Sequence, residues 1–270
     1  MNRTQTFIDS MYTFIEYLRI FIGSGFIFLL SKLPVPPVMV TPNKIRKVSF
    51  SPDNDDDVSI MSYNIHNGRD QLYQNSIDKI IEDIEENRKS ILCLQEVSKE
   101  LYVHIKDSLG YKYGYHEDDK CVLSDHVLLD NDIYFFNNVG IYKTTSFLIS
   151  GIKIGEEELY ILNTQLSYDI ALYNQFYELE ELQQYISKKD LGDKKLMVIG
   201  DFNCADINLK NYQLNITDIL KLDKIKLDNT YPSVLPLVPI DKCFTTNIDV
   251  KNSSVVTTTN STHFPICIEL

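Results

Sequence analysis

The chain has 270 residues, of which 44% are hydrophobic and 24% charged, with a formal net charge of −12 and a pI near 4.8. That length accommodates one sizeable α/β domain with a short appendage and excludes two full domains. The acidic balance argues against tight non-specific binding to a nucleic-acid backbone, which needs a basic surface, while leaving room for a small basic groove.

The N-terminus stands apart. Tyr12 to Leu33 reads YTFIEYLRIFIGSGFIFLLSKL, with a fully apolar centre interrupted only by Gly23, Ser24 and Gly25. A spanning helix needs ~20 predominantly apolar residues, and Phe14 to Leu33 reaches that length with Glu16 and Arg19 inside its first turns. The favoured reading is a membrane anchor, spanning or lying in the interface. A secretory signal peptide is an alternative, but the segment starts late and lacks a small-residue cleavage site. A helix buried against the domain is the third reading. If the segment spans, Lys32, Lys44, Arg46 and Lys47 beyond it put the downstream domain in the cytosol. The division expected is a hydrophobic segment 1–33, a Pro-rich and acidic linker 34–57, and a folded domain 58–270.

From Val58 onward strands and helices interleave. Val58 to Ile65 alternates as a strand. Ser76 to Asn87 carries Ile77, Ile80, Ile81 and Ile84 on one face and predicts an amphipathic helix, with Ser76 as a cap. Ile91 to Val97 predicts a buried strand, Ser98 to Leu109 a helix, and Leu159 to Leu166 a strand. Ala171 to Lys188 predicts a long helix, and Leu196 to Ile199 a strand ending in Gly200-Asp201. Val255 to Thr259 and Phe264 to Leu270 are expected to close the chain as strands. Tyr111 to Gly155 is the least legible part, consistent with several strands and a long loop.

The cysteines Cys93, Cys121, Cys204, Cys243 and Cys267 are odd in number and form no CxxC pair. They argue against a disulfide framework or a zinc site and favour a reducing compartment. Sequons at Asn2, Asn215, Asn252 and Asn260 are explained by chance in a chain rich in Asn, Ser and Thr. A glycan at Asn260 would crowd His263.

Polar residues recur where the apolar strands end, which is where functional loops gather in layered α/β folds. Asn64 follows the first strand in SYNIHNG. Glu96 ends ILCLQEV, and a carboxylate there is costly to bury unless paired or metal-bound. Asp201 and Asn203 in GDFN are two apart, so an extended backbone would point both to one side. That would let a carboxylate and an amide hold a water and a phosphate oxygen. His263, just before the terminal strand, with Asp241 upstream, suggests a general base and its orienting carboxylate.

The order SYNIHNG, LQEV, NTQL, GDFN, ID and STHFPI resembles the endonuclease/exonuclease/phosphatase superfamily over Val58 to Leu270. TYPS before ID resembles its sphingomyelinase-like and small phosphodiesterase branches. The resemblance implies a four-layered α/β sandwich, two mixed sheets face to face with helices outside. It implies Mg²⁺, with Mn²⁺ as an alternative, held by Glu96 with the amide of Asn64 supporting the site. Asp201 would position the attacking water, and Asn203 would contact phosphate. His263 would be the catalytic histidine and Asp241 its partner. Two positions depart from the family pattern. Gln165 stands where the family usually has His, and can bind phosphate but cannot act as an acid. Thr262 stands where it has Asp before the final His, removing a charge. The resulting expectation is a metal-dependent phosphoester hydrolase, acting by in-line water attack on a membrane-associated or small phosphoester such as a lipid headgroup. The alternatives are a nuclease of the same fold, which the charge disfavours, and a catalytically impaired membrane-tethered pseudoenzyme. The oligomeric state stays open.

Overall fold

The structure, a computed structural model, describes residues 58–137, 145–168, 173–209 and 212–270. The expected anchor and linker, 1–57, lie outside the described residues. Among the described residues no helix is long and apolar enough to cross a membrane.

The first half of the chain builds one sheet. Its strands are β1 (Ser59–Asn64), β2 (Ile91–Gln95), β3 (Tyr113–Glu117) and β4 (Lys120–Ser124), joined at the end of the chain by β13 (Asn252–Val255) and β14 (Ile266–Glu269). The second sheet comprises β5 (Leu128–Phe135), β6 (Ser146–Ile154), β7 (Glu157–Gln165), β8 (Lys195–Asp201), β11 (Asp223–Lys224) and β12 (Asp241–Thr246). Each has six strands, in the orders β13-β14-β1-β2-β4-β3 and β11-β12-β8-β7-β6-β5. Both are mixed: β1 runs parallel to β2 and β7 parallel to β8, while the other pairings are antiparallel. A separate small hairpin joins β9 (Ile207–Leu209) to β10 (Tyr212–Leu214).

Helices α1 (Ile77–Glu86) and α2 (Lys99–Leu109) follow β1 and β2, and α3 (Tyr173–Lys188) and α4 (Ile216–Leu220) flank β8. The apolar side chains separate into three layers, as four stacked layers require. Ile80, Ile84, Leu101 and Ile105 of α1 and α2 pack against Met61, Tyr63, Leu92 and Leu94. Leu179, Leu182 and Ile186 of α3 pack against Leu162, Val198 and Phe244. Between the sheets, Ile60, Ile91, Cys93 and Val122 meet Leu148, Ile161, Met197, Ile199 and Cys243. The strand period of two explains this sorting: in β1, Ile60 faces the opposite sheet while Met61 faces the helices. The expected four-layered sandwich is the observed one.

Local details differ at the ends. Ser98 caps α2 by accepting from Leu101 N at 3.3 Å, whereas Ser76 makes no side-chain cap to α1 and Asn75 Oδ1 accepts from Ile77 N at 3.2 Å instead. The strand expected over Val255 to Thr259 lies earlier, over Asn252–Val255. Beyond Val255 the side chains of Thr258 and Asn260 bond Asp83 of α1, which bends the chain away from the ladder. All five cysteines are buried free thiols.

Candidate active site

Strand parity decides which polar side chains meet. Asn64 continues the inward-facing series Ile60, Ser62; Gln165 continues Ile161, Asn163; Asp201 continues Met197, Ile199; and Asp241 shares the face of Cys243. All four side chains therefore enter the space between the sheets at one end. Register aligns them further: Asp201 pairs with Asp241 on β12 and with Gln165 on β7.

Gly200 makes the close approach of β8 to β7 feasible. Its φ is +142°, and a Cβ there would sit 2.0 Å from the carbonyl oxygen of Thr164. The residue before the site carboxylate must lack a side chain.

The acidic centre is built by amides. Asn64 Nδ2 donates to Asp201 Oδ2 at 3.0 Å and to Glu96 Oε1 at 3.1 Å, and Gln165 Nε2 donates to the same Glu96 oxygen at 2.8 Å. Asn64 Oδ1 accepts from His66 N at 3.0 Å, so this amide braces both carboxylates and is itself fixed by backbone. Glu96 lies just past β2 with φ +54°, and the bond from Asn67 N to its carbonyl, 3.0 Å, holds that turn.

His263 approaches from the other side. Its Nδ1 lies 2.9 Å from Asp241 Oδ2, and its Nε2 lies 3.9 Å from Asp201 Oδ2. Glu96 and His263 are thus linked through Asn64 and Asp201. Burial works against a charged His263, but the carboxylates of Asp241 and Asp201 outweigh it and raise its pKa to about 9. Burial pushes Asp201 up to about 7, against the His263 cation and the hydrogen bonds from Asn203 N and Asn64.

The GDFN segment differs from expectation. Asn203 has φ +49°, so the backbone turns after Asp201 instead of staying extended, and alternation does not set its side chain. Its backbone N–H donates to Asp201 Oδ1 at 2.9 Å, and its amide Nδ2 donates to the Leu166 carbonyl at 2.9 Å. Asn203 remains at the site as a fixed, half-buried amide.

Several supporting residues lie behind those expected to carry the chemistry. Thr230 Oγ1 accepts from Asp241 N at 3.3 Å, and the Tyr231 ring lies 4.9 Å from that of His263. Ser233 N donates to Thr262 O at 2.8 Å, and its hydroxyl donates to Ser261 O at 2.6 Å. TYPS, read in the sequence as a mark of branch resemblance, thus clamps the strand of Asp241 and the loop of His263 together. Asp83 accepts from Thr258 Oγ1 at 2.7 Å and from Asn260 Nδ2 at 3.0 Å, and Ser261 Oγ donates to Asn64 O at 2.8 Å. Asp83 is one of several acids on the polar side of an amphipathic helix, so nothing in its spacing sets it apart.

Asp201, Asp241 and His263 each offer a ligand atom within 4.8 Å of the others. They form a His–Asp pair with a second carboxylate nearby more readily than a ligand trio, because Nδ1 is already engaged by Asp241 at 2.9 Å and Nε2 lies 3.9 Å from Asp201. The wider donor set does fit a hard divalent cation. Among the described residues, His263 is the only basic partner in an ion pair with Asp201 or Asp241, and Glu96 is held by neutral amides. Oxygen-rich surroundings with surplus negative charge suit Mg²⁺, which is typically held by one or two carboxylates and completed by waters and phosphate.

A four-layered sandwich with a His–Asp pair and amide-braced carboxylates at one end defines the structural class. The sequence model of the Endonuclease/Exonuclease/phosphatase family matches residues 61–263, and the chain belongs to that family. No curated protein matches the sequence. Solved structures share the fold. An endonuclease/exonuclease/phosphatase family protein from Bacteroides thetaiotaomicron superposes with a TM-score of 0.65 at 17% identity, covering 79% of this chain and 97% of its own. Sphingomyelinase C from Streptomyces griseocarneus gives 0.65 at 14% identity, covering 79% and 99%. TDP2 from Caenorhabditis elegans gives 0.63 at 14% identity, covering 79% and 74%.

Proposed function

We propose that the chain is a Mg²⁺-dependent phosphoester hydrolase acting on a phosphodiester that is small or presented at a membrane. The observation that carries this reading is the convergence of Glu96 and His263 through Asn64 and Asp201 on one inter-sheet opening. The family's name denotes enzymes that cleave phosphate esters, and the side chains supply what such cleavage needs.

Glu96 would hold the cation, with Asn64 and Gln165 fixing its carboxylate. A divalent cation bound there would neutralise charge on phosphoryl oxygens during attack. Asp201, with a pKa near neutrality, is suited to orient a water and take its proton. His263, held protonated by Asp241, is suited to donate a charge-assisted hydrogen bond to a phosphoryl oxygen. This gives His263 a cationic role in place of the general-base role that a His–Asp pair suggests by itself. Asn203, held against Leu166 through one N–H of its side-chain amide, would steady phosphate by donating the second N–H of that amide.

The test is a Mg²⁺ titration of the full chain against a panel of phosphodiesters and phosphomonoesters, including headgroup release from mixed liposomes. Turnover should appear with Mg²⁺ and vanish with chelator, and His263→Ala should lower it about 10²–10⁴-fold. Wild-type rates no higher than those of Glu96→Ala and His263→Ala would sink the proposal. One observation favours a second reading, a tethered binding module. Gln165, which cannot supply a proton, is hydrogen-bonded to Glu96, and Thr262 is uncharged. Turnover gained only on combining Gln165→His with Thr262→Asp would support that reading.

A further inference from the structure

We propose that the turns carrying Leu72 and Val234-Leu235 form a lipid-docking rim that seats the mouth of the site on a zwitterionic bilayer surface. The inference rests on the hydrolase reading for its purpose, and adds how a membrane-borne substrate would reach the site. Among the described residues, the three most exposed large hydrophobic side chains are Leu72 at 77%, Val234 at 62% and Leu235 at 60%. Single exposed apolar residues are ordinary, but the most exposed ones gathering in one place call for a cause.

These three border the same point. Gln71 Nε2 donates to the Thr262 carbonyl at 3.4 Å, and Ser233 N donates to that carbonyl at 2.8 Å. Leu72 follows Gln71, Val234 follows Ser233, and His263 follows Thr262. The two turns therefore meet at one carbonyl of the loop that carries His263.

Both turns are fixed with their tips outward. Asp70 Oδ1 accepts from Leu72 N at 2.8 Å and from Gln74 N at 2.9 Å, and Arg69 Nη1 donates to the Tyr73 carbonyl at 2.8 Å. On the other side Leu235 N donates to Pro232 O at 2.9 Å, while Tyr231 and Val238 exchange backbone bonds beneath. A held turn loses little conformational freedom when its tip enters a lipid interface.

The chemistry of the rim points to lipid. Asn229 to Ile240 contains no charged residue, in a chain that is 24% charged. No ionic group on that stretch would have to be desolvated at the headgroup boundary. Projecting aliphatic tips suit a soft surface, and a protein seated over them would close the opening that substrate must use. The net charge of −12 is unfavourable toward anionic lipid, which selects a zwitterionic surface. The apolar stretch Tyr12 to Leu33 in the same chain is consistent with work at a membrane.

The sequence offers a clean reporter, because it contains no tryptophan. Leu235→Trp and Leu72→Trp in the full chain are each mixed with phosphatidylcholine–sphingomyelin vesicles. Tyr177→Trp on α3, where the native ring is 58% exposed, serves as the control. Both rim reporters should shift to the blue and be quenched by spin-labelled lipid, while the control stays unchanged. An unchanged rim reporter, or an equal shift at the control, overturns the proposal. So does a shift without lipid that grows with protein concentration, which would assign the rim to a second copy. A kinetic arm separates docking from chemistry. The triple variant Leu72→Ser, Val234→Ser, Leu235→Ser should keep turnover of soluble bis-p-nitrophenyl phosphate within twofold and lose headgroup release at least tenfold. Equal release by variant and wild type counts against docking. Failure of the hydrolase reading looks different: no turnover of either substrate, with the rim emission shift still present.

Discussion

His263 concentrates the electrostatics of the site. Its imidazole is buried, which by itself would favour the neutral ring, yet two carboxylates face it and keep it charged. A histidine whose folded pKa is raised contributes stability that is complete below about 6.5, its ordinary value, and is lost as pH rises through about 9. Asp241 contributes more to that rise than Asp201 does, and it is the one in direct hydrogen bond. Asp241→Asn should therefore move the NMR titration of the His263 ring to lower pH, toward or below the ordinary value. A midpoint left near its wild-type position would mean that Asp241 orients the ring without holding its charge. The pairing of Asp241 with His263 was legible in the sequence, because a His before a terminal strand and an Asp before another are both strand-end polar residues. The direction of proton traffic was not, since it depends on Asp201 lying on the other side of the ring at 3.9 Å.

At the scale of elements, legibility followed burial. The central strands read clearly: β1 alternates up to Asn64, and β2 and β8 hold the apolar runs Ile91–Leu94 and Leu196–Ile199 that stop at Gln95 and at Gly200-Asp201. The region from Tyr111 to Gly155 did not, because β3 and β5 are edge strands with mixed exposure, and an edge strand need not alternate. Asn203 was misjudged because a left-handed turn replaces the extended backbone that the two-residue spacing assumed. Asp83 and Ser261 escaped notice because their contribution is to moor a loop to distant elements, and spacing along the chain does not record that. Asn260, a sequon, is bound through its side-chain amide to Asp83, which explains physically why a glycan there conflicts with the fold. Gly200 is the element-level position with the sharpest consequence. Gly200→Ala forces a Cβ against the Thr164 backbone, so β8 and β7 must part. The expected cost is about 1–3 kcal/mol of stability from overpacking and unfavourable φ, read from denaturant midpoints. Activity should fall further than stability, because Asp201 is the next residue and moves with the strand. A variant with an unchanged midpoint would show that the ladder yields more easily than this geometry implies.

For the whole molecule, the site is a place where folding works against itself. Packing two sheets around an apolar core brings Asn64, Glu96, Asp201 and Asp241 to one opening, and the register of β8 with β12 sets two carboxylates directly opposite each other. Like charges facing one another across a ladder are destabilising. One imidazolium and several amides offset this only in part: burial first, and then the facing Asp241, raise the pKa of Asp201 against them. A cation binding there would remove the remaining conflict, and it would do so only in the folded chain, because the ligands come from strands far apart in sequence. A ligand that binds only the native state adds about 2.7 kcal/mol at a concentration 100 times its dissociation constant. Mg²⁺ should therefore raise the melting temperature of the wild-type chain in a dose-dependent way, and chelator should reverse it. Glu96→Gln keeps the shape and one oxygen able to accept from Asn64 and Gln165, but turns the other oxygen into an N–H donor and removes the charge. That variant should melt at or above the metal-free wild type and gain little from Mg²⁺. If Mg²⁺ stabilises Glu96→Gln as much as it does the wild type, the cation binds elsewhere, and the conflict at the strand ends is relieved by some other means.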